Sequence, residues 1–214
     1  MKPYYRDVMG FYSERVLPRI IVKTCGMPAM DKLRRAACEP LSGHVVEIGF
    51  GSGFNVGQYP ESVERVSAIE PSDGGWRLAR DRVAASTIPI DRAGLDGQRL
   101  PFDDDTFDSA LSTFTLCTID DLPAALAELS RVVKPGGVFG FLEHGIAPDD
   151  GVRRWQRGLE PLQKRLGGGC HLTRDIPAAI SASGWRITDV HGFYAKASPK
   201  PLGAFVLGAA VRSR

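Results

Sequence analysis

Two hydrophobic periods alternate along this chain. Short apolar runs are bounded by turn-forming residues, and between them apolar positions recur every three or four residues, the signatures of buried strands and of one-sided helices. The runs His44–Ile48, Val63–Ile69, Ile88–Arg92, Phe107–Thr113 and Val138–Leu142 predict five strands, with two more at Trp185–His191 and Ala204–Val211. Trp76–Ala85 predicts a helix whose inward side chains include Leu78 and Val83. Asp120-Asp121 start another, because carboxylates suit the exposed N–H end and Pro123 fits the first turn. Leu122, Leu126, Leu129 and Val133 give that helix its buried face, and Lys134-Pro135-Gly136-Gly137 ends it. A further helix is expected from Asp149 to Leu166, broken by three glycines at 167–169. Its Trp155, Leu159, Leu162 and Leu166 predict core or lid packing rather than a substrate box.

The stretch from Tyr5 to Ala37 reads as helical and partly amphipathic (Phe11, Val16, Leu17, Ile20, Ile21, Leu33), interrupted by Pro18 and by Gly26-Met27-Pro28. Strands alternating with helices predict a parallel sheet with both faces covered. The expectation is one doubly wound α/β domain over residues 1–214, with a helical cap at 1–40 and a seven-stranded core at 41–214. A chain of this length buries a sizeable core.

The densest chemistry lies in Val45-Val46-Glu47-Ile48-Gly49-Phe50-Gly51-Ser52-Gly53-Phe54-Asn55. A strand ends in a carboxylate and breaks into glycines at alternate positions, which let backbone turn tightly against a ligand. Such a loop after the first strand of an α/β sheet is a nucleotide-type site. Glu47 at its mouth would repel a pyrophosphate, whereas it suits a cofactor bearing an ammonium and a sulfonium, and the loop therefore reads as a site for S-adenosylmethionine. A dinucleotide fingerprint needs a third glycine where Phe54 stands. Glu70, at the end of the second strand and seventeen residues beyond Gly53, can accept both ribose hydroxyls of a nucleoside. Asp96 can accept a hydrogen bond from an adenine amino group, with the Gly97 N–H near the ring edge.

Composition narrows the field. With 43% hydrophobic and 24% charged residues and a net charge of +2, the chain is ordinary globular material with scattered arginines, and no nucleic-acid partner is expected. Cys25, Cys38, Cys117 and Cys170 form no C-x-x-C pair, so neither a metal site nor a disulfide framework is expected, and a reducing cytoplasm fits. Asp103-Asp104-Asp105 lack the alternation of a calcium loop and read as a solvated turn. No apolar run is long enough to span a membrane, and Met1–Asp7 has no apolar signal core, so neither insertion nor secretion is expected.

The segments Glu47–Gly53, Glu70, Asp96–Phe102, Phe107-Asp108 and Lys134–Gly137 together resemble the class I S-adenosylmethionine-dependent methyltransferases. That resemblance implies a Rossmann-like seven-stranded, mostly parallel sheet with a reversed last strand. It implies Gly49, Gly51 and Gly53 at the methionine end, Glu70 at the ribose, Asp96 and Gly97 at the adenine, and Thr113 beside them. Gly97-Gln98 stands where the family more often has Ala-Glu.

A narrower likeness runs through Thr113–Thr118, Leu142-Glu143-His144, Trp155-Gln156, Glu160-Pro161 and Gly167–Asp175. These segments resemble the methyltransferase-like 7 group, whose characterised vertebrate members methylate alkyl thiols and carry an N-terminal membrane-associating segment, for which no counterpart is expected here. The resemblance implies methyl transfer from S-adenosylmethionine to a small apolar acceptor, releasing S-adenosylhomocysteine. His144, after the fifth strand, is a candidate general base, a substrate contact or a strand-end histidine satisfied by backbone. His171 reads as a lid residue, and Cys117 as a small buried apolar side chain. A quinone-type or phospholipid-type acceptor, a cofactor-binding protein without turnover and a nicotinamide dehydrogenase are the alternatives. Oligomeric state is not legible.

Overall fold

The structure, a computed structural model, describes residues 26–196 and 198–213. The helical reading of residues 5–25 lies outside the described residues. The first described helix, α1 (Pro28–Cys38), opens with Pro28 in its first turn, where a missing N–H costs nothing. Helices α2 (Asp73–Ala84), α3 (Leu122–Val132), α4 (Asp150–Leu166) and α5 (Ile176–Ser181) follow. They are interleaved with β1 (Gly43–Ile48), β2 (Val63–Ile69), β3 (Ile90–Gly94), β4 (Phe107–Thr113), β5 (Val133–His144), β6 (Trp185–Tyr194) and β7 (Ala204–Arg212).

These strands form one sheet in the order β3-β2-β1-β4-β5-β7-β6. The pairs among β1 to β5 are parallel, and β7 lies antiparallel to both β5 and β6. The chain winds outward one way from β1 and the other way from β4, so the crevice at the carboxyl ends of these two strands is the switch point where such folds take ligands.

Alternate residues feed the apolar clusters on the two faces of the sheet. Val46, Ala110, Phe139 and Phe141 pack with Leu126, Leu129, Ile176 and Ile180 on the α3/α5 face. Val45, Leu111 and Leu142 pack with Ala37, Cys38 and Leu41 on the α1 face. Helix α1 lies directly on the sheet backbone at Gly140, where a Cβ would fall 2.1 Å from the Ala37 carbonyl oxygen.

Several boundaries differ from expectation for identifiable reasons. Helix α2 begins before Trp76 because the Ser72 side chain accepts the Gly75 N–H and caps it. Leu78 points to solvent at 42% exposure, and Ala79 takes the inward position, with Val83 and Trp76 packed beside it. Strand β3 is displaced toward Gly94. Strand β5 already starts at Val133, and Lys134–Gly137 form an irregularity within it, since Val133 and Val138 pair with Phe107 and Ser109 of β4. Helix α5 is too short to show a period, and its Asp175 cap, accepting the Ala178 N–H, marks it.

The largest correction concerns α4. Trp155, Leu162 and Leu166 are 69%, 55% and 55% exposed, so of the expected core or lid packing the core reading fails for these three, while Leu159 is half-buried. The helix instead buries Gln156, which accepts from the Ala147 N–H and donates to the carbonyls of Gly145 and Pro201. Backbone groups that have to be satisfied, not apolar area, select the inward face. Among the described residues no helix is long and apolar enough to cross a membrane.

Candidate active site

The turn after β1 holds Gly49, Gly51 and Gly53 at φ +73°, +56° and +72°, backbone that L side chains rarely adopt. A Cβ on Gly49 would fall 1.8 Å from Thr115 Oγ1, so the loop after β1 and the loop after β4 touch there. Among the described residues, a Cβ on Gly51 would meet only the Gly49 carbonyl, 3.8 Å away, and would otherwise project into open space. That space is a cavity of about 540 Å³ over the carboxyl ends of β1, β2 and β4. Its size is that of a small-molecule site.

Glu70 braces the cavity floor. Its Oε2 accepts the Gly51 N–H at 2.6 Å and its Oε1 accepts the Ser72 N–H at 2.7 Å, so one carboxylate ties the glycine loop to the start of α2. Burial raises its pKa, and these two backbone bonds oppose the rise. Asp96 lies at the exposed rim, where its Oδ1 accepts the Gln98 N–H. Gln98 in turn accepts the Asp121 N–H and fixes the loop to the start of α3.

Gly49, Gly51, Glu70, Asp96, Gly97 and Thr113 thus line one cavity. Glu47, Gly53 and His144 are not in its lining. Glu47 is buried behind the wall, with Oε1 accepting from Asn55 Nδ2 at 2.9 Å and Oε2 from the Tyr59 hydroxyl. Burial pushes its pKa up to about 7, against the pull of the Tyr59 and Asn55 bonds and the Arg34 charge. Gly53 packs its backbone against Ala79 and Phe50.

Arg34, one of the scattered arginines, carries no motif that marks it in the sequence. Arg34 is 4% exposed, lines the cavity, and donates to Asn55 Oδ1 and Thr113 Oγ1, both at 2.9 Å. Its guanidinium lies 5.1 Å from the Phe114 ring centroid and 5.4 Å from that of Phe54. The available signal was its place on α1, where Met30, Arg34, Ala37 and Cys38 share the buried face.

The far wall is built from the loop after β4 and the residues after α4: Phe114, Thr115, Thr118, Ile119, Gly167 and Gly168. Glu143, fully buried, organises that loop by accepting from Ser112 Oγ at 2.7 Å and from the Thr115 N–H at 3.0 Å. Burial raises its pKa to about 7, opposed by the Ser112 hydroxyl and the loop amides. His144 sits behind this wall, its Nδ1 3.3 Å from Cys170 Sγ and its ring against Phe205. The buried Nε2 meets no hydrogen-bond partner among the described residues. His171 and Thr173 both bond to Glu160, which ties α4 to the segment that follows it. Among the described residues no three His, Cys, Asp or Glu side chains are grouped to hold a metal.

Comparison with known proteins agrees with this arrangement. Residues 46–141 match the family described as a methyltransferase domain. A thiol S-methyltransferase of Mus musculus is 31% identical over 180 residues, covering 80% of this chain and 72% of that protein. A demethylmenaquinone methyltransferase of Thermobifida fusca is 33% identical over 139 residues, covering 64% of this chain and 55% of its own. Geranyl diphosphate methyltransferase, solved in complex with S-adenosylmethionine, superposes with a TM-score of 0.63 at 14% identity, over 86% of this chain and 84% of that one. With a seven-stranded sheet, a glycine loop at its switch point and relatives of this kind, the chain belongs to the class I S-adenosylmethionine-dependent methyltransferases, in the family that includes the thiol S-methyltransferases.

Proposed function

We propose that the cavity binds S-adenosylmethionine and that the enzyme methylates a small, apolar alkyl thiol. The observation that carries the cofactor assignment is the open floor over Gly51 beside the Glu70 carboxylate. Backbone that approaches a ligand without a Cβ, next to an anionic acceptor, fits a nucleoside sulfonium and fits a pyrophosphate poorly. In this reading each Glu70 oxygen has a lone pair left for a ribose hydroxyl, and Asp96 and Gly97 border the adenine. Arg34, held by Asn55 and Thr113, supplies a positive charge for the amino-acid carboxylate. Glu47 acts from behind Asn55 and Tyr59, so its part is electrostatic and not a direct contact.

The bound cofactor supplies an activated methyl group on a sulfonium. What remains for the protein is to orient the acceptor, exclude water and accept a proton. The cavity wall formed by Phe114, Thr115, Thr118 and Ile119 offers apolar surface and hydroxyls, and among the described residues no histidine lines it. A thiol with a pKa of about 8.5 is already about 3% thiolate at pH 7, so it needs little assistance. His144, behind the wall, then affects the rate through Cys170 and the loop it supports. The likeness to thiol S-methyltransferases supports this acceptor class, and the likeness to a demethylmenaquinone methyltransferase supports a quinol as the second reading.

The deciding experiment has two arms. Calorimetry should register S-adenosylhomocysteine binding to the wild-type protein, and incubation with methyl-labelled cofactor and an alkyl thiol should yield a methyl thioether by mass spectrometry. Product from a phenol or quinol with none from any thiol overturns the acceptor assignment. Binding of NAD with none of S-adenosylhomocysteine overturns the cofactor assignment.

A further inference from the structure

Two buried cysteines meet behind the far wall of the cavity, and neither is among its lining residues. Cys117 lies between the cavity-lining residues Thr115 and Thr118, and Cys170 follows the cavity-lining Gly167 and Gly168. Their thiols lie close enough to perturb one another. The two segments are also joined through the main chain, with the His171 N–H donating to the Cys117 carbonyl at 2.8 Å. Neighbouring residues on backbone bonded in this way fall within the short span that a disulfide bridges. The remaining side of Cys170 is held by His144 Nδ1 at 3.3 Å.

We propose that Cys170 and Cys117 form a reversible disulfide site, in which Cys170 is the nucleophile toward a hydroperoxide and Cys117 resolves it. Contact with Cys117 and the hydrogen bond with His144 draw the Cys170 thiol below its ordinary pKa despite burial. Cys117, buried among Cys170 and Glu143, is pushed the other way. A thiolate with an adjacent resolving thiol is the arrangement of redox-sensitive cysteines.

The Cys170 sulfur attacks the distal hydroperoxide oxygen and the O–O bond breaks. Cys170 is oxidised to a sulfenic acid, and the hydroperoxide is reduced to an alcohol, or to water from hydrogen peroxide, taking up one proton. The Cys117 sulfur then attacks Cys170, the S–S bond forms, the S–O bond breaks, and the hydroxide leaves as water with the Cys117 proton. An external dithiol reverses the step by exchange. Because the two segments supply opposite parts of one wall, the bridge bolts the loop after β4 to the segment after α4. Thr115, Thr118, Gly167 and Gly168, which flank the two cysteines, line the cavity, so ligand bound there would cover that side of the site.

The test uses the wild-type full chain treated with hydrogen peroxide, blocked with a maleimide and digested with trypsin. Peptide 166–174 should appear joined to peptide 100–131, two hydrogens lighter than their sum, and dithiothreitol should separate them. S-adenosylhomocysteine should slow the linkage several-fold. In Cys117→Ser, Cys170 should stop at a sulfenic acid that dimedone traps, and His144→Asn should oxidise several-fold more slowly than wild type. Wild-type protein that keeps its near-ultraviolet circular dichroism while Cys38 oxidises as fast as Cys170, or that shows no linked peptide, overturns the proposal. The peptide map without ligand reads neither cofactor use nor turnover, so it stands or fails independently of the proposed function, and only the S-adenosylhomocysteine arm rests on the cofactor assignment.

Discussion

Replacing Glu70 by glutamine changes one atom of the group that braces the cavity floor. The carboxylate accepts the Gly51 N–H on one oxygen and the Ser72 N–H on the other. A glutamine keeps one acceptor and turns an N–H toward one of these N–H groups, so one charge-assisted bond is lost. Bonds to charged partners contribute about 1.5–3 kcal/mol each, and Glu70→Gln should lower unfolding free energy in urea by about that amount. The same substitution removes the negative acceptor proposed for the ribose, so S-adenosylhomocysteine affinity, measured by calorimetry on the folded variant, should fall by roughly 10- to 100-fold. The 2′,3′-dideoxy analogue of that ligand separates the two effects: it should bind wild type weakly, and the substitution should weaken its binding much less. Unchanged stability refutes the bracing role. An affinity loss equal for the ribose and dideoxy ligands refutes the ribose contact.

Three further outcomes follow from the same geometry. Glu47 keeps its proton up to about pH 7 in the folded protein against an ordinary value of 4.5, so the folded state binds the extra proton in that window and its stability falls as pH rises through it. In Glu47→Gln the Asn55 and Tyr59 bonds can survive, and the stability of the variant relative to wild type should rise by about 3 kcal/mol between pH 4.5 and 7.5; parallel urea profiles would count against it. Gly51→Ala adds a Cβ in open space at a left-handed φ, so it should cost about 1–2 kcal/mol in stability while reducing S-adenosylhomocysteine binding; Gly49→Ala drives a Cβ into Thr115 and should cost clearly more in thermal melts. Arg34→Met keeps the stem over Phe114 and removes the charge, so affinity for S-adenosylhomocysteine should fall more than affinity for 5′-methylthioadenosine, which has no carboxylate; equal losses remove Arg34 from the carboxylate.

The alternation of apolar runs with three-and-four spacing was enough to predict seven strands and their winding, because each strand of a covered sheet has to be apolar along its own length. The spacing Gly49, Gly51, Gly53 located the loop, and Glu70 was legible because a carboxylate at a strand end follows local order alone. Which way a carboxylate turns is decided by partners distant in sequence. Glu47 turns inward because Asn55 and Tyr59 donate to it, and Arg34 faces the cavity because Asn55 and Thr113, 21 and 79 residues away, accept from it. The same holds for α4. Its period showed that Trp155, Leu162 and Leu166 share a face, but the polar needs of Gly145, Ala147 and Pro201 put Gln156 against the protein and those side chains outside. Cys117, His144 and Cys170 are brought together by β5 and the loops that end against it, a meeting that no spacing along the chain encodes. A period records which residues share a face. Only the long-range hydrogen bonds of the folded chain decide what that face meets.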